Sequence, residues 1–231
     1  LQALFYAETA IPPDEKTRIH TTNTMGWYSN FSRDWSVPIN HEPPGLVKAD
    51  FPVKGISPLR VKGFRNYSYW AVLNKWLSEF YNFRIMVEDE YRKYFFNSYP
   101  CIKPHTMARE FPLYREIDMD YMEPKDWYSY EPTHYFHARF AWDPYQDVDD
   151  AIADYAEKRY PGAGPEMVGY LTNVENGFNL FGKVRGFDKP LPDLERAREH
   201  FALADTALKS TLGKVSEPGA KSLIEKNVKS L

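Results

Sequence analysis

Residues 67–90 read YSYWAVLNKWLSEFYNFRIMVEDE, and this stretch indicates how the chain folds. Its first part places apolar side chains at the spacing of one helix face: Trp70, Leu73, Trp76, Leu77 and Phe80. A short apolar run follows at residues 83–87 and leads into three consecutive acids, which is typical of a buried strand that ends at a loop. The pattern therefore predicts a helix over 67–80 and a strand at 83–87.

The segments on either side continue this alternation. Residues 1–7 form a continuous apolar run that predicts a strand, and residues 18–24 give a weaker signal for a second one. A helix is predicted over 106–117 and a short strand at 119–122. Strands that alternate with helices favour βα units around a parallel sheet, so we predict an α/β fold.

Residues 26–58 carry many aromatic and proline residues without a period, and we interpret them as a long irregular loop of functional importance. Aromatic residues make up 16% of the chain, which permits two interpretations. One is a large core with tyrosine-rich loops. The other is a surface on which flat, partly apolar ligands such as sugar rings stack. Tyrosine and tryptophan suit this role because their rings are apolar while their O–H or N–H group can form a hydrogen bond.

The character of the sequence changes after Pro132. Helical patterns follow one another with clear breaks between them, and they are predicted at 134–142, 148–160, 166–181, 194–212 and after Gly219. We therefore divide the chain into an α/β part, residues 1–132, and an all-helical part, residues 133–231.

Composition excludes several classes of protein. The chain has 231 residues, and 29 basic against 32 acidic residues give a formal net charge of −3. This charge argues against nucleic acid as the main partner, and no apolar stretch approaches the ~20 residues of a membrane span. A single cysteine, Cys101, rules out an intrachain disulfide. The chain begins at Leu1 inside an apolar run, so we expect a piece of a longer protein.

Carboxylates at three predicted strand ends carry the strongest chemical signal: Glu8, the cluster Glu88-Asp89-Glu90, and Glu123. Parallel strands open their carboxyl ends to one side, where two carboxyl groups could act as acid and base or nucleophile on a glycosidic bond. Within the cluster only alternate side chains share a face, so the others are expected to pair with Arg84, Arg92 or Lys93. The alternative is that all these acids serve as helix caps and ion pairs.

No pattern in the sequence predicts a metal or a cofactor. His134 and His137 lie three residues apart on one helix face, but neither a zinc motif nor a cysteine cluster accompanies them. The glycine-rich loops of nucleotide sites and the Gly-x-Ser-x-Gly motif of serine hydrolases are absent from the sequence.

A longer motif occupies residues 121–170. It runs HYFHARFAWDP over 134–144, then Asp147-Val148-Asp149, and then the spaced residues Tyr155, Tyr160, Gly162, Met167 and Tyr170. This motif resembles the C-terminal part of a bacterial family of glycoside-hydrolase-like proteins that is distantly similar to alpha-glucuronidases. The resemblance implies the last strands of a (β/α)8, or TIM-type, barrel followed by a helical region. It implies that the rest of a longer chain, or another subunit, completes the barrel.

The resemblance also bears on the site. Asp89 stands at a position where the family tends to have Trp-Asp-Tyr, which favours Asp89 as the pocket residue, although Glu88 replaces the tryptophan. Together these observations predict a glycoside hydrolase that acts on a poly- or oligosaccharide and is secreted or periplasmic. The expected catalytic residues are Asp89 and Glu123, with carboxyl groups about 5–10 Å apart, and Glu8 in reserve. The expected substrate-binding residues are Tyr6, Trp27, Tyr28, Tyr91 and Trp127.

One further expectation completes the hypothesis. Trp27, Tyr28 and Trp35 should be partly exposed along a cleft, because they lie in a proline-rich, aperiodic stretch. Two other functions remain open: a carbohydrate-binding protein without a competent acid pair, and an assembly subunit whose aromatic face packs on another chain.

Overall fold

A computed structural model describes residues 2–5, 10–13, 25–29, 33–80, 84–89, 91, 100–119, 121–124, 131–181 and 191–228. Contacts divide the chain into two compact units. The first unit comprises Leu1–Glu90 and Pro112–Lys125, and the second comprises Tyr91–Phe111 and Asp126–Leu231. No helix within the described ranges is both long and apolar enough to cross a membrane.

The first unit contains a parallel four-stranded sheet. Its strands are β1 (Gln2–Phe5), β2 (Met25–Ser29), β3 (Arg84–Asp89) and β4 (Tyr121–Pro124), and they lie side by side in chain order. Every neighbouring pair is parallel. The predicted α/β class with a parallel sheet is thus confirmed, since helices connect strands that run in one direction.

One prediction in this region is wrong. Residues 26–29 are not part of an irregular loop; together with Met25 they form β2, which pairs with both β1 and β3. Aromatic residues favour strands, and the sequence Met-Gly-Trp-Tyr-Ser supplies buried side chains to a central position in the sheet. The weaker strand predicted at 18–24 lies outside the described residues.

Helix α1 (Arg65–Glu79) covers one face of the sheet. Its buried side chains recur every three or four residues and include Tyr69, Val72, Leu73 and Trp76. The Trp76 ring stacks on Phe5 of β1 with 4.1 Å between ring centroids, and its indole N–H donates to the carbonyl oxygen of Ala10 at 2.7 Å. Burial of these large aromatic side chains fixes the helix against β1, as the periodicity of residues 67–80 predicts.

Alternation along the strands assigns their side chains to two faces. Phe5, Tyr28, Ile85 and Val87 belong to the same buried cluster as α1, and we call their side the helix face. Helix α2 (Pro104–Glu116) continues through Pro112, and its Tyr114 joins this cluster. The intervening side chains project to the other side, which we call the second face; they are Leu4, Trp27, Ser29, Met86, Glu88 and Glu123.

The second unit is built mostly from helices that contact one another in chain order. They are α3 (Glu131–Trp142), α4 (Val148–Arg159), α5 (Gly164–Phe181), α6 (Leu191–Thr211) and α7 (Pro218–Val228). Asp147 caps α4, because its side chain accepts hydrogen bonds from the backbone N–H groups of Asp149 and Asp150. The helical patterns predicted after Pro132 correspond to these five helices.

Candidate functional site

The carboxyl ends of β2, β3 and β4 bring polar side chains to one edge of the sheet. Ser29 ends β2, Glu88 and Asp89 end β3, and Glu123 lies next to the end of β4. In parallel α/β sheets this edge is where ligands bind, because the loops that follow the strands open there. The register of the strands decides which of these side chains share a face.

Ser29, Glu88 and Glu123 form a row across three strands, which we call the polar row. Ser29 is paired with Glu88, and Glu88 is paired with Glu123. Paired residues in a parallel sheet project to the same side, and neighbouring strands lie about 4.8 Å apart. Ser29 and Glu88 are buried, whereas Glu123 is exposed. The row therefore runs from a buried hydroxyl to a solvent-exposed carboxylate.

Two buried groups, one in the polar row and one next to it, lack hydrogen-bond partners among the described residues. They are the Ser29 hydroxyl and the indole N–H of Trp27, which lies two residues earlier on the second face. Leaving a buried polar group unsatisfied costs about 1–3 kcal/mol, so such groups often mark the place of a ligand or an ordered water. The half-buried Trp27 ring lies on the same face and offers an aromatic surface.

Asp89 lies on the helix face, opposite to the polar row. Its register partner is Pro124, whereas the partner of Glu123 is Glu88. The prediction that Asp89 and Glu123 converge on one pocket is therefore wrong, because a shift of one residue along a strand moves a side chain to the other face. Glu88 is the residue of the acidic cluster that accompanies Glu123 on the second face.

The environment of Asp89 is a buried polar network. Its carboxylate accepts hydrogen bonds from Arg33 Nη2 at 2.7 Å, from Trp35 Nε1 at 2.7 Å and from the Tyr114 hydroxyl at 3.3 Å. Three donors around a fully buried carboxylate satisfy most of its acceptor capacity. We assign Asp89 a structural role, with Arg33 as a cationic partner.

Asn66 fixes the loop that supplies Arg33 and Trp35. Its side-chain amide donates to the carbonyl oxygens of Asp34, Val37 and Pro38, and its own oxygen accepts from the Asp34 N–H at 2.9 Å. Asn66 lies in the first turn of α1 and is buried. The sequence analysis did not identify Arg33, Asn66 or Tyr114. The one signal for this network was the basic residue Arg33 in an aromatic-rich segment, where a buried acid could pair with it.

Three predicted ligand-stacking residues are buried in the protein interior. Tyr28 is fully buried on the helix face and donates to the carbonyl oxygen of Tyr69 at 2.8 Å; burial raises its pKa well above the ordinary value. Trp35 is buried against Asp89. Tyr91 is buried in the second unit and donates to Glu110 Oε2 at 2.8 Å. The expected exposure of Tyr28 and Trp35 is thus wrong.

The remaining predicted residues are Tyr6, Glu8 and Trp127, and they lie outside the described part of the chain.

Within the described part of the chain, no group of three or more histidine, cysteine or acidic side chains is arranged to hold a metal ion. His137 is buried with its ring edge-on to Phe111 at 5.0 Å, while His134 is exposed on the same helix.

Comparison of the chain with protein-family models, with curated proteins and with solved structures gave no significant match.

Proposed function

We propose that this chain is part of a carbohydrate-active protein that cleaves glycosidic bonds, with Glu88 and Glu123 as its carboxylate pair. One observation carries the proposal: the two glutamates occupy paired positions at the carboxyl ends of adjacent parallel strands. Positions one strand apart bring carboxyl groups to roughly the 5–5.5 Å at which retaining glycosidases place theirs.

The pair divides the chemistry of such a reaction between its members. One carboxyl group donates a proton to the oxygen of the leaving sugar, while the other, ionised, attacks the anomeric carbon and forms a glycosyl–enzyme intermediate. Water then releases the sugar as the first group takes back a proton. The different exposure of buried Glu88 and exposed Glu123 supports a division of roles, because paired carboxylates act best in unequal environments.

The two groups of β2 that lack a partner among the described residues supply contacts for the sugar. The Trp27 ring is available for stacking against the apolar face of a pyranose, and its N–H and the Ser29 hydroxyl are available to sugar hydroxyl groups. Each buried group would then gain the partner that it lacks among the described residues. The proposal thus explains two unsatisfied groups and the carboxylate pair with one ligand.

The sheet supports the proposal that it belongs to a (β/α)8 barrel. Its strands follow chain order without reversal, whereas the order reverses in a doubly wound sheet. Among the described residues of the first unit, helix α1 and the end of α2 pack on the helix face, as the outer helices of a barrel do. In that arrangement the second face lines the barrel interior, and further strands from a longer chain or another subunit complete it.

The expected location of the protein is secreted or periplasmic, which cell fractionation tests.

The test is hydrolysis of a panel of neutral and acidic oligosaccharides by the wild type and by single amide variants. Glu88→Gln and Glu123→Gln should each lower turnover about 10²–10⁴-fold and leave the circular dichroism spectrum unchanged. Glu116→Gln, at an exposed position at the end of α2, is the matched control and should keep full activity. Binding of an oligosaccharide without turnover by the wild type would instead support a non-catalytic carbohydrate-binding protein.

A further inference from the structure

Helix α3 ends on a tryptophan that faces solvent. Trp142 is 92% exposed, and Tyr145, three residues later, is 67% exposed. A single exposed apolar side chain is ordinary, but a large aromatic ring beside a cavity is a common feature of binding sites. The surroundings of Trp142 therefore decide whether it has a role.

A surface cavity of about 450 Å³ lies against Trp142. This volume is within the range of small-molecule pockets. The described residues that line it come from α3 and the turn that follows: Tyr135, Ala138, Arg139, Trp142, Asp143 and Gln146. We call this cavity the Trp142 pocket. It belongs to the second unit, whereas Glu88 and Glu123 belong to the first.

Hydrogen bonds hold the polar side chains of the Trp142 pocket in place. Arg139 Nε donates to Gln146 Oε1 at 2.9 Å, and the Gln146 amide donates to the carbonyl oxygen of Asp143 at 3.0 Å. The Asp143 carboxylate accepts from the backbone N–H of Tyr145 at 3.1 Å. These side chains are already held in place without a ligand. Less side-chain entropy is therefore lost when a ligand forms hydrogen bonds with them.

Charges around the Trp142 pocket are balanced. Arg139 Nη1 donates to Asp154 Oδ2 at 3.2 Å, and the same carboxylate accepts from the Tyr135 hydroxyl at 2.6 Å. The hydrogen bond from Lys158 is the main cause that keeps the pKa of Asp154 below its usual value, so this acid is ionised and compensates its cationic neighbours. Asp143 adds a carboxylate to the lining itself. This balance favours a neutral ligand over an anion.

We propose that the Trp142 pocket is a second carbohydrate-binding site, which holds a neutral pyranose ring against Trp142. The indole supplies the flat apolar surface that a sugar ring stacks on, and Arg139, Asp143 and Gln146 supply hydrogen-bonding groups at its edge. The choice of ligand class rests on the proposed function. The site itself would hold a chain of sugars on the second unit, independently of the carboxylate pair.

The experiment titrates the full chain with neutral hexasaccharides of glucose, xylose and mannose and, separately, with hexagalacturonate, while the indole N–H signals are followed by NMR. The Trp142 signal is identified by its loss in Trp142→Ala. We expect a neutral hexasaccharide to shift this signal, and Trp142→Ala to weaken its binding about threefold to tenfold, the range of one aromatic contact. Tyr145→Ala removes an exposed aromatic residue outside the lining and should leave affinity unchanged.

Two results would overturn the inference: absence of any shift at Trp142 with the neutral sugars, or a shift with the acidic hexasaccharide alone. The same titration in Glu88→Gln separates this inference from the proposed function. If Glu88→Gln abolishes hydrolysis but keeps the Trp142 shift, both proposals hold. If the shift occurs and no substrate is cleaved by the wild type, the second site stands and the hydrolase proposal fails.

Discussion

The carboxylate of Asp89 and the guanidinium of Arg33 form an ion pair of 2.7 Å in which neither side chain has any solvent exposure. The two residues are 56 positions apart, at the end of β3 and in the loop after β2. Trp35 and Tyr114 complete the bonding of the carboxylate. The pair therefore ties the loop after β2 to the carboxyl edge of the sheet, next to the polar row.

Asp89→Asn should destabilise the fold strongly. Removing one partner of a buried ion pair leaves the other charge uncompensated, and this costs about 3–5 kcal/mol. The measurement is the free energy of unfolding from urea denaturation. Glu79→Gln is the control, because it breaks the exposed Lys75–Glu79 pair and should cost no more than about 0.5 kcal/mol.

The double variant Arg33→Met/Asp89→Leu refines this test. It removes both charges, so no buried charge is left without its partner. The loss in the free energy of unfolding should therefore be smaller than the sum of the losses in Arg33→Met and Asp89→Leu alone. A loss for Asp89→Asn no greater than that of Glu79→Gln would show that the pair does not support the fold.

The helices and β3 could be predicted because their signals, helical periodicity and a short apolar run, are local. The apolar residues of α1 recur every three or four positions, and breaks at Pro161–Pro165 and at Gly213 separate helices of the second unit. Central parallel strands show no clear alternation, since they are buried on both faces, and they are recognised instead by a short apolar run. β3 has such a run, whereas β2 contains Gly26 and Ser29 and lies in an aromatic stretch without a period, so the sequence did not predict it.

The sequence predicts at which edge of the sheet the candidate site lies, but not which side chains share a face there. The sequence predicts that acids at the ends of β3 and β4 lie at one edge, but the face of each acid depends on register to within one residue. In a run of three acids, Glu88-Asp89-Glu90, nothing local distinguishes the member that faces Glu123. The role of Asp89 depends on Arg33, a contact across 56 residues that no short-range pattern contains.

A close approach between α5 and α6 gives a second prediction. A Cβ atom at Gly177 would lie 2.7 Å from the nearest ring atom of Phe201, whose ring packs edge-on against Phe178. Gly177→Ala should therefore destabilise the protein by about 1–2 kcal/mol, because strain from overpacking exceeds the gain in helix propensity. Thermal or urea unfolding measures the change.

Gly169→Ala is the matched control in the same helix. Its new Cβ would meet Ala207 at 3.8 Å, an ordinary contact, so helix propensity should make the variant neutral or up to about 1 kcal/mol more stable. In a Phe201→Ala background the penalty of Gly177→Ala should disappear. Persistence of the penalty there would assign it to some cause other than the Phe201 ring.

His105 gives a prediction on pH. Its Nδ1 lies 2.6 Å from Glu175 Oε2 and its Nε2 lies 3.5 Å from Asp149 Oδ1. The hydrogen bond to Glu175 is the main cause that raises the pKa of His105 in the folded protein. A raised pKa means that the charged imidazolium stabilises the fold fully below its unfolded pKa of about 6.5, and that this contribution is lost as pH rises through the folded value.

The stability difference between wild type and His105→Gln should therefore be largest near pH 5.5–6 and should shrink towards pH 9. Urea unfolding across this range measures it. In a Glu175→Gln background the same comparison should lose most of its pH dependence, because the main source of the raised pKa is gone. A difference that grows with pH would contradict the assignment.

The last prediction concerns the buried hydroxyl of Ser29. Because this group has no hydrogen-bond partner among the described residues, removing it, which leaves only the Cβ methyl of alanine, removes a desolvation cost. Ser29→Ala should leave the free energy of unfolding unchanged or raise it by up to about 1 kcal/mol. If the hydroxyl forms a hydrogen bond with a bound sugar, the same variant should also bind oligosaccharide more weakly. Stability and affinity should then change in opposite directions.

Ser68→Ala is the matched control for Ser29→Ala. Ser68 is also a fully buried serine of the first unit whose hydroxyl lacks a partner among the described residues, but it lies on α1. Its replacement should likewise preserve or raise stability, and it should leave sugar affinity unchanged. Unfolding experiments and calorimetric titration of both variants separate the two roles. Equal effects of the two variants on affinity would remove Ser29 from the site, and a large loss of stability in Ser29→Ala would show that its hydroxyl has a structural partner.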